Sequence, residues 1–146
     1  MIKLKPIEKT DIEKLNNTSY ADMDLDKKIQ MILESNEENH QGNFFKFFLV
    51  QNNEDTVGVI NVYSCSKSVI RVAPEIKVEF RGKGYAKEAL LLSYDYAKGL
   101  GYKLVYAGIK EDNIASIRLH EKLGFEYVQD FLSSRGKKLK MFIKII

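Results

Sequence analysis

The sequence predicts a mixed α/β fold, a sheet flanked by helices, and three observations carry that expectation. Apolar, β-branched segments of strand length exchange along the chain with segments of helical periodicity. A basic glycine turn, Arg81-Gly82-Lys83-Gly84-Tyr85-Ala86, runs straight into the longest amphipathic segment. Hydrophobic residues make up 45% and charged residues 29% of 146 positions, which suits one packed core and is too little chain for two ordinary domains. A single domain over residues 1–146 is expected.

The elements follow in order. Ile2, Leu4 and Ile7 between lysines and Pro6 read as a first strand, and Thr10-Asp11 offers an N-cap for a helix through Leu15. Asn16-Asn17-Thr18-Ser19 breaks that helix. Asp24 or Asp26 caps a second helix to about Glu34, with Leu25, Ile29, Ile32 and Leu33 on its apolar side. Around it lie Asp22, Asp24, Asp26, Glu34, Glu37 and Glu38, opposed by Lys27 and Lys28: a solvated face, or an acidic surface for a cationic partner.

Phe44 to Gln51 and Thr56 to Tyr63 flank Asn52-Asn53-Glu54-Asp55 and read as a hairpin, with Gly58 marking a bulge. Val69 to Val78 is the next strand, and Pro74, which lacks an N–H, predicts an edge, a bulge or a break near its middle. The helix after the glycine turn sets Ala86, Ala89, Leu90, Ser93 and Ala97 on one face and ends at Gly99-Leu100-Gly101. Lys103 to Ile109 reads as a buried strand. Asp112 or Asn113 caps the last helix, Gly124 closes it, and Phe125 to Leu132 with Lys138 to Ile146 form a final hairpin whose last strand could pair with a second copy. A monomer or a homodimer fits equally.

Composition narrows the function classes. No apolar run approaches the roughly 20 residues of a membrane helix, and Met1 to Glu8 alternates charged with apolar residues, unlike a signal peptide, so a cytoplasmic protein with no membrane partner is expected. Cys65 is the only cysteine, which excludes an internal disulfide and a cysteine-rich metal site; it reads as a small buried hydrophobe on a strand. His40 and His120 lack ligand spacing, so no metal is expected. A net charge of +3 suits an anionic small ligand and falls short of a nucleic-acid footprint, even counting the basic hairpin from Arg135 to Lys144.

Two glycines ahead of a helix expose unpaired N–H groups at the positive end of its dipole, which suits a phosphate. The Walker pattern is absent, and a dinucleotide fingerprint would need a glycine where Lys87 stands. Arg81, Gly84 and Ala86 instead satisfy [RQ]-x-x-G-x-[GA], and about thirty residues later comes Asn113-Ile114-Ala115-Ser116-Ile117-Arg118-Leu119-His120-Glu121-Lys122-Leu123-Gly124-Phe125. In these two ordered motifs, within Val69 to Val128, the sequence resembles the GNAT superfamily of N-acetyltransferases.

The resemblance implies a mostly antiparallel twisted sheet of about seven strands, splayed between strands 4 and 5 and flanked by about four helices. It implies acetyl-coenzyme A as co-substrate and an amine as acceptor, possibly cationic if the acidic run around the second helix faces the cleft. Its pyrophosphate would meet the N–H groups of Arg81, Gly82, Lys83, Gly84, Tyr85 and Ala86, with charge from Arg81, Lys83 and Lys87. Ile76 and Val78 would meet the cofactor from the strand, and Asn113 and Ser116 from one helix face. His120 stands where many members carry a tyrosine that protonates the leaving thiolate; Tyr85, Tyr106 and Tyr127 are further candidates. Members often carry a glutamate early in the strand before the loop, where this chain has Ile70 and Arg71, so the candidate base is Glu75, with Glu79 near it, or a more distant acid reached through an ordered water chain. That departure keeps open a catalytically silent coenzyme A-binding sensor of the same fold.

Overall fold

The computed structural model describes all of residues 1–146. Seven strands form one sheet in the order β1-β2-β3-β4-β5-β7-β6: β1 (Ile2–Pro6), β2 (Phe45–Asn52), β3 (Asp55–Ser64), β4 (Val69–Ile76), β5 (Leu104–Ile109), β6 (Glu126–Leu132) and β7 (Lys138–Ile145). Every neighbouring pair is antiparallel except β4 and β5. Three α-helices, α1 (Leu25–Asn36), α2 (Tyr85–Gly99) and α3 (Ile114–Lys122), flank it, with 3-10 turns at Lys9–Leu15 and Val78–Phe80. No helix is long and apolar enough to cross a membrane.

The central strands are buried on both faces, which is why β2 and β3 read as near-continuous apolar runs. Phe48, Val50, Ile60 and Val62 turn toward α2 and join Ala89, Leu90, Tyr94 and Ala97 in the larger core. Phe47, Leu49 and Val59 turn the other way and pack on Ile7, Leu15 and Ile32, beneath the first 3-10 turn and α1. Each fully buried side chain of this kind stabilises the fold by about 1.5–3 kcal/mol.

Several expectations are corrected in detail. The first helix is a 3-10 turn, and Asp11 does not cap it from outside. Glu8 is the N-cap, and the buried Asp11 carboxylate accepts from the Glu8 N–H at 3.0 Å while meeting Lys5 at 2.6 Å and Lys14 at 3.3 Å. Burial alone would raise the Asp11 pKa, but these hydrogen bonds together outweigh it and hold the carboxyl below its ordinary value. Cys65 is exposed in the turn after β3 rather than buried on a strand. The bulge lies one residue before Gly58: Val50 faces Gly58 and Gln51 faces Thr56, leaving Val57 as the extra residue. Gly58 itself serves a close approach, since a Cβ there would overlap the Glu75 carbonyl oxygen of β4.

That approach ties β4 to β3 over its full length, from Ser64↔Ile70 to Gly58↔Ile76, while β5 follows β7 from Leu104↔Ile145 to Ile109↔Lys140. Between β4 and β5 only Val69↔Leu104 and Ile70↔Val105 are paired. Beyond Ile70 the two strands part, and the sheet opens into a gap. Pro74 lies in the unpaired part of β4 and removes no ladder bond on that side.

Candidate active site

The gap inherits unpaired backbone groups. Lys77 N–H donates to Val57 C=O on β3, so by strand alternation the N–H and C=O groups of Val72 and Ile76, and the C=O of Pro74, point away from β3 into the opening. The Ile76 carbonyl is taken by Arg81 Nε at 3.0 Å, which fastens the following loop to the end of the strand. Val78 lies past the strand in the second 3-10 turn, its side chain exposed and its carbonyl bonded to Arg81 N–H, and lines neither cavity of the site.

The loop turns back through two left-handed glycines, Gly82 and Gly84, both at φ 79°, and a Cβ on either would meet open space. Gly84 is the N-cap of α2 and supplies no side chain to cap it. The consequence is a run of six amides, Gly82 to Lys87, with no acceptor in the protein; the first N–H of α2 that finds one is Glu88, bonded to Gly84 C=O. A cavity of about 320 Å³ lies against them, lined by Arg81, Gly82, Gly84, Ala86 and Lys87 with Ile76 and Leu119. Lys83 is exposed beside it, and the Tyr85 hydroxyl accepts from Asn52 Nδ2 at 3.0 Å.

A larger cavity, about 460 Å³, fills the gap itself, with Val72 to Pro74 of β4 on one wall and Ala107 to Ile109 of β5 on the other. Helix α3 contributes Ser116, Leu119 and His120, and Tyr63, Arg71 and Tyr106 line the same cavity. Asn113 caps α3 with its side-chain oxygen on Ser116 N–H at 3.2 Å. His120 Nδ1 lies 2.8 Å from the Ser116 carbonyl oxygen, which can only accept, so Nδ1 carries the proton and Nε2 keeps its lone pair in the neutral ring. Burial lowers the His120 pKa below the ordinary imidazole value, against the Ser116 carbonyl, which raises it. The ring packs edge-on against Phe125 at 4.8 Å between centroids. A half-buried neutral imidazole with a free nitrogen can take a proton.

The other expected groups sort clearly. Glu75 is outside the cavity lining, and Ser19 occupies both of its oxygens, through N–H at 2.7 Å and Oγ at 2.5 Å. Glu79 is exposed on the second 3-10 turn. Among the tyrosines, Tyr106 lines the gap, whereas Tyr127 is exposed and donates to Asp130 at 2.8 Å. Burial raises the Tyr106 pKa, although the Arg71 charge opposes it, so the hydroxyl stays protonated and can donate. The acidic residues around α1 do not line the gap; Glu34 borders a separate hollow beside His40 and Phe45. No group of three or more His, Cys, Asp or Glu side chains is placed to hold a metal. Leu90, Ala115 and Leu119 line the cavity unforeseen, although Leu119 sits three residues from Ser116 and so on its face of the helix.

The model of a family described as acetyltransferase (GNAT) domain matches residues 3–126. The SPbeta prophage-derived uncharacterized N-acetyltransferase YokL of Bacillus subtilis (strain 168) is 35% identical over 92 residues, 61% of this chain and 52% of the relative, so the chain spans about half the length of that curated relative. Among solved structures, yncA from Salmonella typhimurium, a putative acetyltransferase with its cofactor acetyl-CoA, superposes with TM-score 0.77 at 17% identity, over 99% of this chain and 94% of the other. Spermidine N-acetyltransferase from Vibrio cholerae, in complex with CoA and spermine, gives 0.80 at 16% identity, over 99% and 95%. At these identities the two structures establish the common fold.

Proposed function

The chain belongs to the GNAT acetyltransferase family, and from that premise we propose that it transfers the acetyl group of acetyl-coenzyme A to a primary amine, with both reactants bound together. The observation that carries this reading is the junction of two features: six free amides at the start of α2, and a sheet that stops pairing just upstream, between β4 and β5. The first is a diphosphate cradle in which N–H groups and a helix dipole converge, with Arg81, Lys83 and Lys87 adding charge from the rim. The second leaves both backbone groups of Val72, the Pro74 C=O and the Ile76 N–H free for the amides of an extended pantetheine arm, as an added strand would use them. Ser116 borders that path from α3, and Asn113, outside both cavity linings, stands at the N-cap of the same helix.

When bound, acetyl-coenzyme A supplies an activated thioester carbonyl. The chain's part is to hold it, place the amine beside it and move protons. Unpaired N–H groups of β4 stabilise charge developing on a carbonyl oxygen in the gap. His120 takes a proton at Nε2 from the acceptor nitrogen, its neutral state being favoured by burial and its tautomer by Ser116. Tyr106 offers a protonated hydroxyl on the same cavity for the leaving sulfur. Holding both reactants in one opening supplies the entropic share of the acceleration.

Calorimetric titration with coenzyme A, followed by a thiol-release assay over polyamines, aminoglycosides, amino acids and peptide N-termini, tests this. Polyamines are included because the Vibrio cholerae neighbour binds spermine. Saturable binding with turnover of at least one amine class is expected; binding with no turnover on any of them would mark a sensor, and no binding would remove the proposal altogether.

A further inference from the structure

The cavity in the gap contains one formal charge that the reaction as proposed does not use. Arg71, on β4, stands opposite Tyr63 of β3 and projects beside Tyr106 of β5 across the opening. Its guanidinium carbon lies over both rings, 4.8 Å from the Tyr106 centroid and 5.8 Å from that of Tyr63. None of the chain's ion pairs involves it, and its N–H groups meet no acceptor in the protein. Glu75, the carboxylate two positions away from Ala73 on the same face of the strand, is already held through both oxygens by Ser19.

A guanidinium is rarely left half-buried without a partner. Contact of its carbon with two aromatic rings holds the cation in the opening without using its N–H donors, which are left to meet a planar carboxylate with two parallel hydrogen bonds. We propose that Arg71 selects the acceptor: the amine acetylated here carries a carboxylate, which Arg71 binds while the amino group is presented to the thioester side of the gap. This rests on the acetyl-transfer reading above, and it puts amino acid-like acceptors ahead of polyamines, whose positive charges Arg71 would repel.

Matched probes test it: leucine and phenylalanine as free acids, as carboxamides and as the corresponding aminophosphonates, with spermidine alongside. Thiol-release kcat/KM is measured for each, together with calorimetric affinity for the coenzyme A-saturated protein, a readout that needs no turnover. The acids should exceed the amides by about 10- to 100-fold, the range of a charge-assisted bidentate contact. Arg71→Gln should bring that ratio close to one, and Arg71→Lys should recover part of it. Coenzyme A affinity and the melting temperature, unchanged in both variants, show that the fold and cofactor site survive. Equal acids and amides in the parent, a preference for spermidine or the phosphonates, or an acid preference that persists in Arg71→Gln would each overturn the assignment. Failure of every amine to turn over would instead strike the acetyl-transfer reading, while the calorimetric ratio still decides the role of Arg71.

Discussion

Gly58→Ala is the smallest change that strains the strand on which the gap depends. A methyl group at this position would overlap the Glu75 carbonyl oxygen and lie 3.0 Å from Ile76 Cα and 3.0 Å from Ile76 Cδ1. Two of these three atoms are backbone, so rotamer changes cannot relieve the overlap, and β4 must move away from β3. Overpacking of this kind costs about 1–3 kcal/mol, set against roughly 0.5–1 kcal/mol gained because alanine loses less chain entropy than glycine. The difference runs from about 0 to 2.5 kcal/mol, and because the overlap is with backbone the upper part, about 1–2.5 kcal/mol, is expected, a melting temperature roughly 2–10 °C lower for a chain of this size. The displacement has one open direction, toward β5, because β4 is unpaired there beyond Ile70. Coenzyme A affinity should therefore fall with stability. Denaturant unfolding and calorimetric titration of the same preparation measure both. A Gly58→Ala protein as stable as the parent would refute the claim that close β3–β4 contact shapes the gap, and one that is destabilised with full affinity would refute its link to the cofactor path.

His120→Gln keeps a hydrogen-bonding side chain near the Ser116 carbonyl but removes the proton-accepting Nε2, and kcat should fall about 10²- to 10⁴-fold with little change in coenzyme A affinity. In the parent the folded His120 pKa lies below its unfolded value near 6.5. Between the two the unfolded chain binds the extra proton, so this group's contribution to stability is complete above about pH 6.5 and is lost as pH falls toward the folded pKa. Activity should decline as pH falls through that lowered pKa, and urea midpoints followed across the same window should show a shallower slope in the glutamine variant. Asn113→Ala removes the α3 cap on Ser116 N–H and should cost about 0.5–2 kcal/mol, read in urea unfolding. It should also weaken coenzyme A binding if α3 borders the pantetheine path as proposed.

What could be read from the residues alone was local in sequence. The Arg81 to Ala86 turn, the Asn113 cap, the left-handed Gly124 and the hairpins all depend on a few neighbouring residues, and the structure has each of them. The parting of β4 from β5 came from the family resemblance, with Pro74 as its one local sign. The remainder depends on partners far apart in the chain. Ser19 and Glu75 are separated by 56 positions, and their bond takes the expected candidate base out of the gap. Arg71 is brought against Tyr106 only because β4 and β5 lie parallel and adjacent at their starts. Cys65 failed for a related reason: its small apolar side chain suited a strand interior, but β3 ends at Ser64 and the turn carries the thiol outside. The His120 tautomer needs the orientation of its ring toward a carbonyl one turn back, which spacing permits without requiring.

The central claim is that the amides from Gly82 to Lys87 grip a diphosphate. Amide chemical shifts of the ¹⁵N-labelled protein, titrated in parallel with coenzyme A and with pantetheine, which has the same arm and no phosphates, test it directly. The account predicts large saturable shifts of these six N–H groups with coenzyme A and small ones with pantetheine, whose effects should concentrate along Val72 to Ile76. Coenzyme A binding that leaves the Gly82 to Lys87 resonances where they were would contradict it.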